Sequence, residues 1–125
     1  MQKKILVVDD EKRVVDLLYN LLSKEGFMVL TATDGESCLR LARQEAPDLI
    51  VLDLMMPGMD GGDIASNLQE DEKTKNIPVI FLTSAVTKEE VVKEGGQIAD
   101  RSFISKFSDS NEQIREIKKA LYISA

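Results

Sequence analysis

Residues 49–53 read LIVLD, four consecutive apolar residues that end at one acid. An unbroken apolar run of this length is typical of a strand that is buried on both faces. Such strands form parallel sheets, because helices then cover both faces of the sheet. Two similar runs occur at residues 5–8 and 78–82. The three runs together predict the centre of a parallel sheet.

Strand-like and helix-like segments alternate outward from these runs. Two further strands are predicted at residues 27–32 and 102–105. The spacing of apolar residues and the positions of Gly and Pro predict five helices, at residues 11–24, 36–44, 63–69, 88–94 and 110–121. Five alternations imply parallel strands joined by right-handed crossovers. We therefore expect an α/β fold, a doubly wound sheet of five parallel strands flanked by five helices.

Composition limits the classes of function. The 125 residues suit one domain, and the net charge of −6 argues against a nucleic-acid-binding surface, which needs clustered Lys and Arg. The chain has no His, which excludes imidazole catalysis and His metal ligands. It has one cysteine, Cys38, no recognisable leader, and no apolar run of the ~20 residues that a membrane helix needs. These features predict a cytoplasmic protein.

Polar residues follow four of the five predicted strands, and they are Asp9, Asp10, Asp53, Thr83 and Lys106. Because the carboxyl ends of parallel strands meet at one edge of a sheet, we expect these side chains to lie close together. Three adjacent carboxylates repel one another, and a hard cation such as Mg²⁺ would neutralise them and leave positions for phosphoryl oxygens. Capping of the next helix explains single acids but not the joint set. The set predicts phosphoryl transfer, with Asp53 as the nucleophile.

These residues resemble those of the receiver domain of two-component response regulators. Residues 49–61, LIVLDLMMPGMDG, are similar to that family's phosphoacceptor strand and following loop, and residues 9–11, DDE, are similar to its acidic pair. The resemblance extends from Lys4 to about Leu121. It implies a single receiver domain over residues 1–125 without an output domain, with the flavodoxin-like strand order 2-1-3-4-5.

The resemblance also implies a phosphoryl donor and a metal site. A sensor histidine kinase or a histidine phosphotransfer protein would pass a phosphoryl group from its phosphohistidine to Asp53. Mg²⁺, or Mn²⁺, would be bound by Asp10, Asp53 and the backbone carbonyl of Met55, with Asp9 assisting through water. The chain would assist its own phosphorylation and dephosphorylation, so it is expected to be a signalling switch rather than an enzyme.

Switch residues are implied in the same way. Thr83 and Lys106 fall where the family has its switch hydroxyl and its lysine, and both would hold the phosphoryl oxygens. Phe103 falls at the position of the switch aromatic, although packing in the core explains a Phe there equally well. The face formed by the fourth and fifth predicted helices and the last strand would then change and act on an unknown protein target. Neither nucleic acid nor a membrane is expected as a partner.

Three departures from the family pattern have consequences. Phe107 follows Lys106 where proline is usual, and without proline a cis bond costs about 2.5–4 kcal/mol more than trans, which leaves the geometry of that loop open. Residues 95–100, GGQIAD, replace the usual Ala-Gly-Ala-Asp, and the two glycines predict a mobile fourth helix or loop. The side chains of Met55 and Ala85 cannot orient a water molecule, which predicts slow self-dephosphorylation.

The first predicted helix carries two sets of apolar residues at helical spacing. The set expected to face the core is Val14, Leu17, Leu18 and Leu21. The second set is Val15, Tyr19 and Leu22. Together they form a wider arc than one buried face needs. Either Leu22 is buried and Tyr19 lies flat, or the second set is a docking patch for the helix bundle of the phosphodonor.

Two rival functions share this architecture. A flavodoxin-like FMN-binding module needs a Ser/Thr/Gly-rich loop after the first strand, where this chain has DDE at residues 9–11. A phosphatase with an aspartyl nucleophile resembles Asp-x-Asp, and here the second position is Met55. Both fit poorly. A stand-alone switch and one domain of a larger regulator or hybrid kinase both remain open, as do the oligomeric state and the pathway.

Overall fold

A computed structural model describes residues 2–84 and 103–123 of the chain. One sheet of five parallel strands has the order β2-β1-β3-β4-β5. The strands are β1 (Lys4–Val8), β2 (Met28–Ala32), β3 (Leu49–Asp53), β4 (Val79–Thr83) and β5 (Phe103–Ser105). The helices in the described ranges are α1 (Lys12–Lys24), α2 (Gly35–Glu45), α3 (Gly61–Glu70) and α4 (Ser110–Ile123). The predicted sheet and its order are confirmed, whereas the helix predicted at residues 88–94 and the glycines after it lie outside the described residues.

Strand β3 lies at the centre of the sheet, between β1 and β4, and all five of its residues are buried. Successive strand residues point to opposite faces, so β1 places Ile5 and Val7 in one core layer and Leu6 and Val8 in the other. One layer packs against α2 and α3, and the other packs against α1 and α4. The carboxyl end of β3 therefore opens in the middle of one sheet edge, with other strand ends on both sides.

The buried face of α1 differs from the predicted one. Val15, Leu18 and Leu22 are buried, whereas Leu17 is 60% exposed. The prediction that Leu17 faces the core was therefore wrong. Of the two alternatives for the second set, the burial of Leu22 is confirmed and the docking patch is wrong, because Val15 and Leu22 are in the core. Both sets obey helical spacing, and only packing against the sheet selects between two overlapping arcs. Tyr19 stays exposed at 46%.

Helices α2 and α3 each begin slightly before the predicted residue. The Asp34 carboxylate accepts a hydrogen bond from the Ser37 N–H at 2.7 Å, and the Asp60 carboxylate accepts one from the Asp63 N–H at 2.9 Å. These caps satisfy backbone donors that have no partner within the helix, so each helix starts directly after its Asp. No helix within residues 2–84 and 103–123 is long and apolar enough to cross a membrane.

Candidate functional site

The polar residues after the strands meet at one edge of the sheet. Carboxylate oxygens of Asp9, Asp10 and Asp53 all lie within 4.8 Å of one another. Asp9 and Asp53 are buried, and Asp10 is exposed toward the open side. Thr83, which ends β4, is also buried, and Lys106 follows β5 with a side chain that is 15% exposed. All five predicted side chains thus belong to one edge, although only the three carboxylates form a close cluster around a shared point.

Local backbone geometry fixes the two buried acids. The Asp9 N–H donates to the Ala32 carbonyl at 3.2 Å, and Asp9 Oδ1 accepts from the Glu11 N–H at 2.9 Å. Asp53 Oδ1 accepts from the Met55 N–H at 3.3 Å. In each case the carboxylate accepts a hydrogen bond from the N–H of the residue two positions later, as in an Asx-turn. This bond fixes Oδ1 and leaves Oδ2 available for another partner.

Lys106 lies among the carboxylates. Its Nζ is 2.9 Å from Asp9 Oδ2, 3.3 Å from Glu11 Oε1 and 3.5 Å from Asp53 Oδ1. Its backbone N–H donates to the Thr83 carbonyl at 2.8 Å, which ties the chain after β5 to the end of β4. No peptide bond among the described residues is cis, so Phe107 follows Lys106 through a trans bond. The missing proline does not remove the lysine from the pocket.

Burial and charge shift the protonation of this cluster. Burial, and next the neighbouring Asp9 carboxylate, raise the pKa of Asp53 to about 7 against the opposing effect of Lys106. Burial works to lower the pKa of Lys106, but its hydrogen bond to Asp9 and the nearby Asp53 charge outweigh burial and raise that pKa. One lysine thus only partly compensates the acids around it, and the site has a deficit of positive charge.

The acidic cluster fits a hard divalent cation. Asp53 Oδ2 is buried and has no hydrogen-bond partner in the part of the chain that the structure describes. A buried, unpartnered carboxylate oxygen is costly, and Mg²⁺ and Mn²⁺ prefer such oxygen ligands. Asp10 and Asp9 supply further oxygens at the same point. The structure does not test the Met55 carbonyl, or a water between Asp9 and the metal, and both stay predictions.

A cavity of about 590 Å³ opens over the cluster. Its floor includes Asp53 and Thr83, and three exposed apolar side chains also line it. These are Leu17 at 60% exposure, Met55 at 58% and Phe107 at 73%, which we call the apolar rim. The cavity has room for a phosphoryl group, and its exposed lining is mixed, because the charged side chains of Glu11 and Arg13 also contribute to it.

The predicted switch aromatic packs in the core. The Phe103 side chain is half-buried, and its ring centroid lies 5.6 Å from that of Phe81 at an interplanar angle of 31°. In the β4–β5 register Phe81 pairs with Phe103, and Thr83 pairs with Ser105. Thr83 and Phe103 are thus two register positions apart on adjacent strands. The structure supports the packing role, and the switching role stays a prediction.

Sequence reasoning missed two residues of the site. Glu11 was treated as part of the acidic run, yet its side chain contacts Lys106 at 3.3 Å. A Cβ on Gly61 would lie 2.7 Å from the Asp53 carbonyl oxygen and 2.8 Å from Leu54 Cα, so only glycine lets α3 begin this close to the end of β3. The glycine in the quoted loop was the available signal for this close approach. Spacing along the chain gave no signal for a contact between residues 11 and 106.

Comparison with known proteins shows what the chain is similar to. The response regulator receiver domain family matches residues 5–118. The chain is similar to the alkaline phosphatase synthesis transcriptional regulatory protein PhoP of Bacillus subtilis, with 46% identity over 84 residues, 67% of this chain and 34% of PhoP. It is also similar to the response regulator PleD of Caulobacter vibrioides, with 45% identity over 84 residues, 67% of this chain and 18% of PleD. It spans about a third or less of the length of the curated relatives it matches.

Two solved structures extend the comparison. The N-terminal domain of a response regulator receiver protein from Methanoculleus marisnigri JR1 is 33% identical with a TM-score of 0.73, covering 95% of this chain and 96% of that one. The chemotaxis protein CheY4 of Vibrio cholerae has a TM-score of 0.85 at 24% identity, covering 97% of this chain and 100% of that one. The second likeness concerns the fold alone.

Proposed function

The chain belongs to the response regulator receiver domain family and so has a role in two-component signalling, and we propose that Asp53 is its phosphoacceptor. The observation that carries the proposal is the position of Asp53. Its carboxylate is buried at the centre of the sheet edge, among two further acids and one lysine, on the floor of an open cavity. A carboxylate so placed lines an open cavity, beside a lysine that can pair with a phosphoryl oxygen and two acids that can hold a divalent cation.

The proposed reaction moves a phosphoryl group from a phosphohistidine to Asp53. A carboxylate oxygen of Asp53 forms a bond to phosphorus, and the phosphorus–nitrogen bond of the donor breaks. The imidazole leaves with the electron pair of that bond and is neutral once it has one proton. Attack requires the charged carboxylate, and the pKa of about 7 for Asp53 means that added positive charge in the pocket increases the reactive fraction.

The donors to the transferred group come from this chain. The Lys106 ammonium lies 3.5 Å from Asp53 Oδ1, so it can pair with a phosphoryl oxygen after a small side-chain movement. Thr83, buried at the end of β4, supplies a hydroxyl to another oxygen. Asp10, Asp53 and the Met55 carbonyl, with Asp9 through water, would hold Mg²⁺ or Mn²⁺. That cation would supply positive charge against the phosphoryl oxygens.

The proposed output passes from Thr83 to Phe103. Movement of the Thr83 side chain toward the phosphoryl group changes the space next to β5, where Phe103 is only half-buried. A turn of this ring would alter the face formed by β5 and α4, which then binds a protein target. The chain acts as a switch in this scheme, and its only chemistry is on its own Asp53.

The apolar rim takes the docking role that the sequence left open for the second apolar set of α1. Leu17, Met55 and Phe107 come from three separate elements and line the cavity that leads to Asp53, alongside exposed charged residues. The imidazole of a phosphohistidine must enter through this cavity to reach the carboxylate. We assign the rim to the helix bundle that carries this histidine, in a sensor histidine kinase or a phosphotransfer protein. Apolar side chains around a polar centre are typical of protein docking sites.

The function is tested with phosphoramidate, a small donor that contains a phosphorus–nitrogen bond. In the presence of Mg²⁺, the wild-type protein is expected to gain one phosphoryl group that hydroxylamine releases, as it does from an acyl phosphate. Asp53→Asn keeps the shape of the side chain and should gain none. An equal gain by Asp53→Asn would rule out Asp53 as the phosphoacceptor.

A further inference from the structure

Glu11 contacts the lysine of the pocket from the outside. Its Oε1 is 3.3 Å from Lys106 Nζ, and its side chain is 56% exposed. Glu11 is not one of the three clustered acids that could hold a metal ion. It bonds to Asp9 through its backbone N–H and not through its side chain. The carboxylate of Glu11 is therefore a second partner for Lys106, one that faces solvent.

We propose that Glu11 competes with the incoming phosphoryl oxygens for Lys106 and thereby lowers the rate at which Asp53 is phosphorylated. This inference rests on the function proposed above and concerns the regulation of the same site. An ammonium has three N–H donors, and carboxylates of Asp9, Glu11 and Asp53 all lie within 3.5 Å of it. The contact to Asp53 becomes a contact to the phosphoryl group, and a further phosphoryl oxygen can pair with Lys106 only if the contact to Asp9 or to Glu11 is given up.

Burial decides which contact is given up. The Asp9 side chain is fully buried, and loss of its pair would leave a buried charge whose Oδ2 has no cation beside it, which is strongly unfavourable. The Glu11 carboxylate is mostly in water already, so its release costs little. Glu11 is therefore the partner that the phosphoryl oxygens displace.

Glu11 acts through Lys106 rather than through its charge alone. Its side chain lines the same cavity as Asp53, but so does the exposed side chain of Arg13, whose opposite charge offsets its effect on an approaching anionic donor. Competition for Lys106 is therefore the effect that the proposal rests on. Removal of the Glu11 carboxylate should therefore increase the rate of phosphorylation. If Glu11 merely held Lys106 in place, its removal would decrease that rate.

The test compares Glu11→Gln with Asp16→Asn, a control that removes the same charge from an exposed carboxylate on α1 that pairs with Lys12. Initial rates with acetyl phosphate and Mg²⁺ are followed by intact mass. We expect Glu11→Gln to be faster than wild type by about two- to fivefold, the size of one partly exposed ion pair. Asp16→Asn should match wild type. In the Lys106→Met background the acceleration should largely disappear, because the competition acts through Lys106.

Ionic strength gives a second readout. Because Glu11 is exposed, the ratio of the Glu11→Gln rate to the wild-type rate should fall toward one near 1 M salt. A Glu11→Gln rate equal to that of Asp16→Asn, or slower than wild type, would overturn the competition. So would a full acceleration that persists without Lys106. A wild-type protein that takes up no phosphoryl group would instead refute the proposed function itself, and this outcome is visible before any variant is compared.

Discussion

The Lys106 ammonium lies 2.9 Å from Asp9 Oδ2 and joins the end of β5 to the end of β1, across β3 and β4. Asp9 is fully buried, and the lysine is 15% exposed. The pair closes one side of the acidic cluster, while Asp53 Oδ2 has no donor among the residues that the structure describes. A single cation of the chain thus holds together ends of strands that are not neighbours in the sheet.

This pair predicts a large effect of Lys106→Met on stability. The substitution leaves Asp9 and Asp53 buried without their cation, which should lower the free energy of unfolding by about 3 kcal/mol at pH 8 in EDTA. Urea unfolding measures this change. Lys118→Met is the control. Lys118 is 44% exposed in its pair with Glu25, so loss of this pair should lower the free energy of unfolding by less than about 1 kcal/mol. Equal stability of the two variants would contradict the structural role of the pair.

The raised pKa of Asp53 predicts a pH-dependent effect of Asp53→Asn. The folded state raises this pKa from 3.8 to about 7, so it binds the proton more tightly than the unfolded state does. The penalty for the charged carboxylate is therefore absent below about pH 4, grows as pH rises, and is complete above about pH 7. Asp53→Asn should be more stable than wild type by about 1–3 kcal/mol at pH 8, and nearly equal at pH 4.

Urea unfolding in EDTA at both pH values measures this difference. Added Mg²⁺ at pH 8 should stabilise the wild type and narrow the gap, because a ligand that binds only the folded state adds to its stability. A gap that is the same at pH 4 and pH 8 would contradict the assigned pKa shift.

The apolar rim predicts that Leu17→Ala weakens phosphoryl transfer from a protein donor but not from a small-molecule donor. Leu17 is 60% exposed, so its loss should leave stability unchanged. Transfer from a phosphorylated histidine phosphotransfer protein should weaken by about tenfold in apparent affinity, as for a residue central to an interface. Phosphorylation by acetyl phosphate should be unaffected. Tyr122→Ala, at a site 57% exposed on α4, is the matched control. Equal losses with both donors would exclude a docking role for the rim.

The close approach of α3 to β3 predicts that Gly61→Ala is destabilising. Its Cβ would meet backbone atoms at 2.7 and 2.8 Å, and a flexible side chain is not there to move aside. We expect a loss of about 2–4 kcal/mol and a displaced Asp53 backbone. Gly62→Ala is the control, since its Cβ would meet no backbone atom and only one side-chain atom, the capping Asp60 Oδ1 at 3.3 Å, which needs to shift by a few tenths of an ångström. Alanine also favours helices, so this variant should lose much less stability. Equal unfolding midpoints for the two variants would contradict this packing.

Much of the fold could be predicted because its signals are local. The apolar run of β3 and the acid at its end need no partner to be recognised, and the alternation of elements fixes the parallel topology. The face of α1 that is buried could not be predicted, because Leu17 and Leu18 both lie on plausible apolar arcs. Which arc faces the core depends on how the helix packs against the sheet. The contact of Glu11 with Lys106 depends on long side chains from distant positions, and spacing along the chain does not encode it.

The central claim is that Asp53 accepts the phosphoryl group in a reaction that needs a divalent cation. Intact mass after incubation with acetyl phosphate, with Mg²⁺ or with EDTA, followed by mapping of the modified peptide, tests it most directly. The account predicts one phosphoryl group, located on Asp53, formed with Mg²⁺ and lost with EDTA. A modification at another residue, or none in the presence of Mg²⁺, would contradict it.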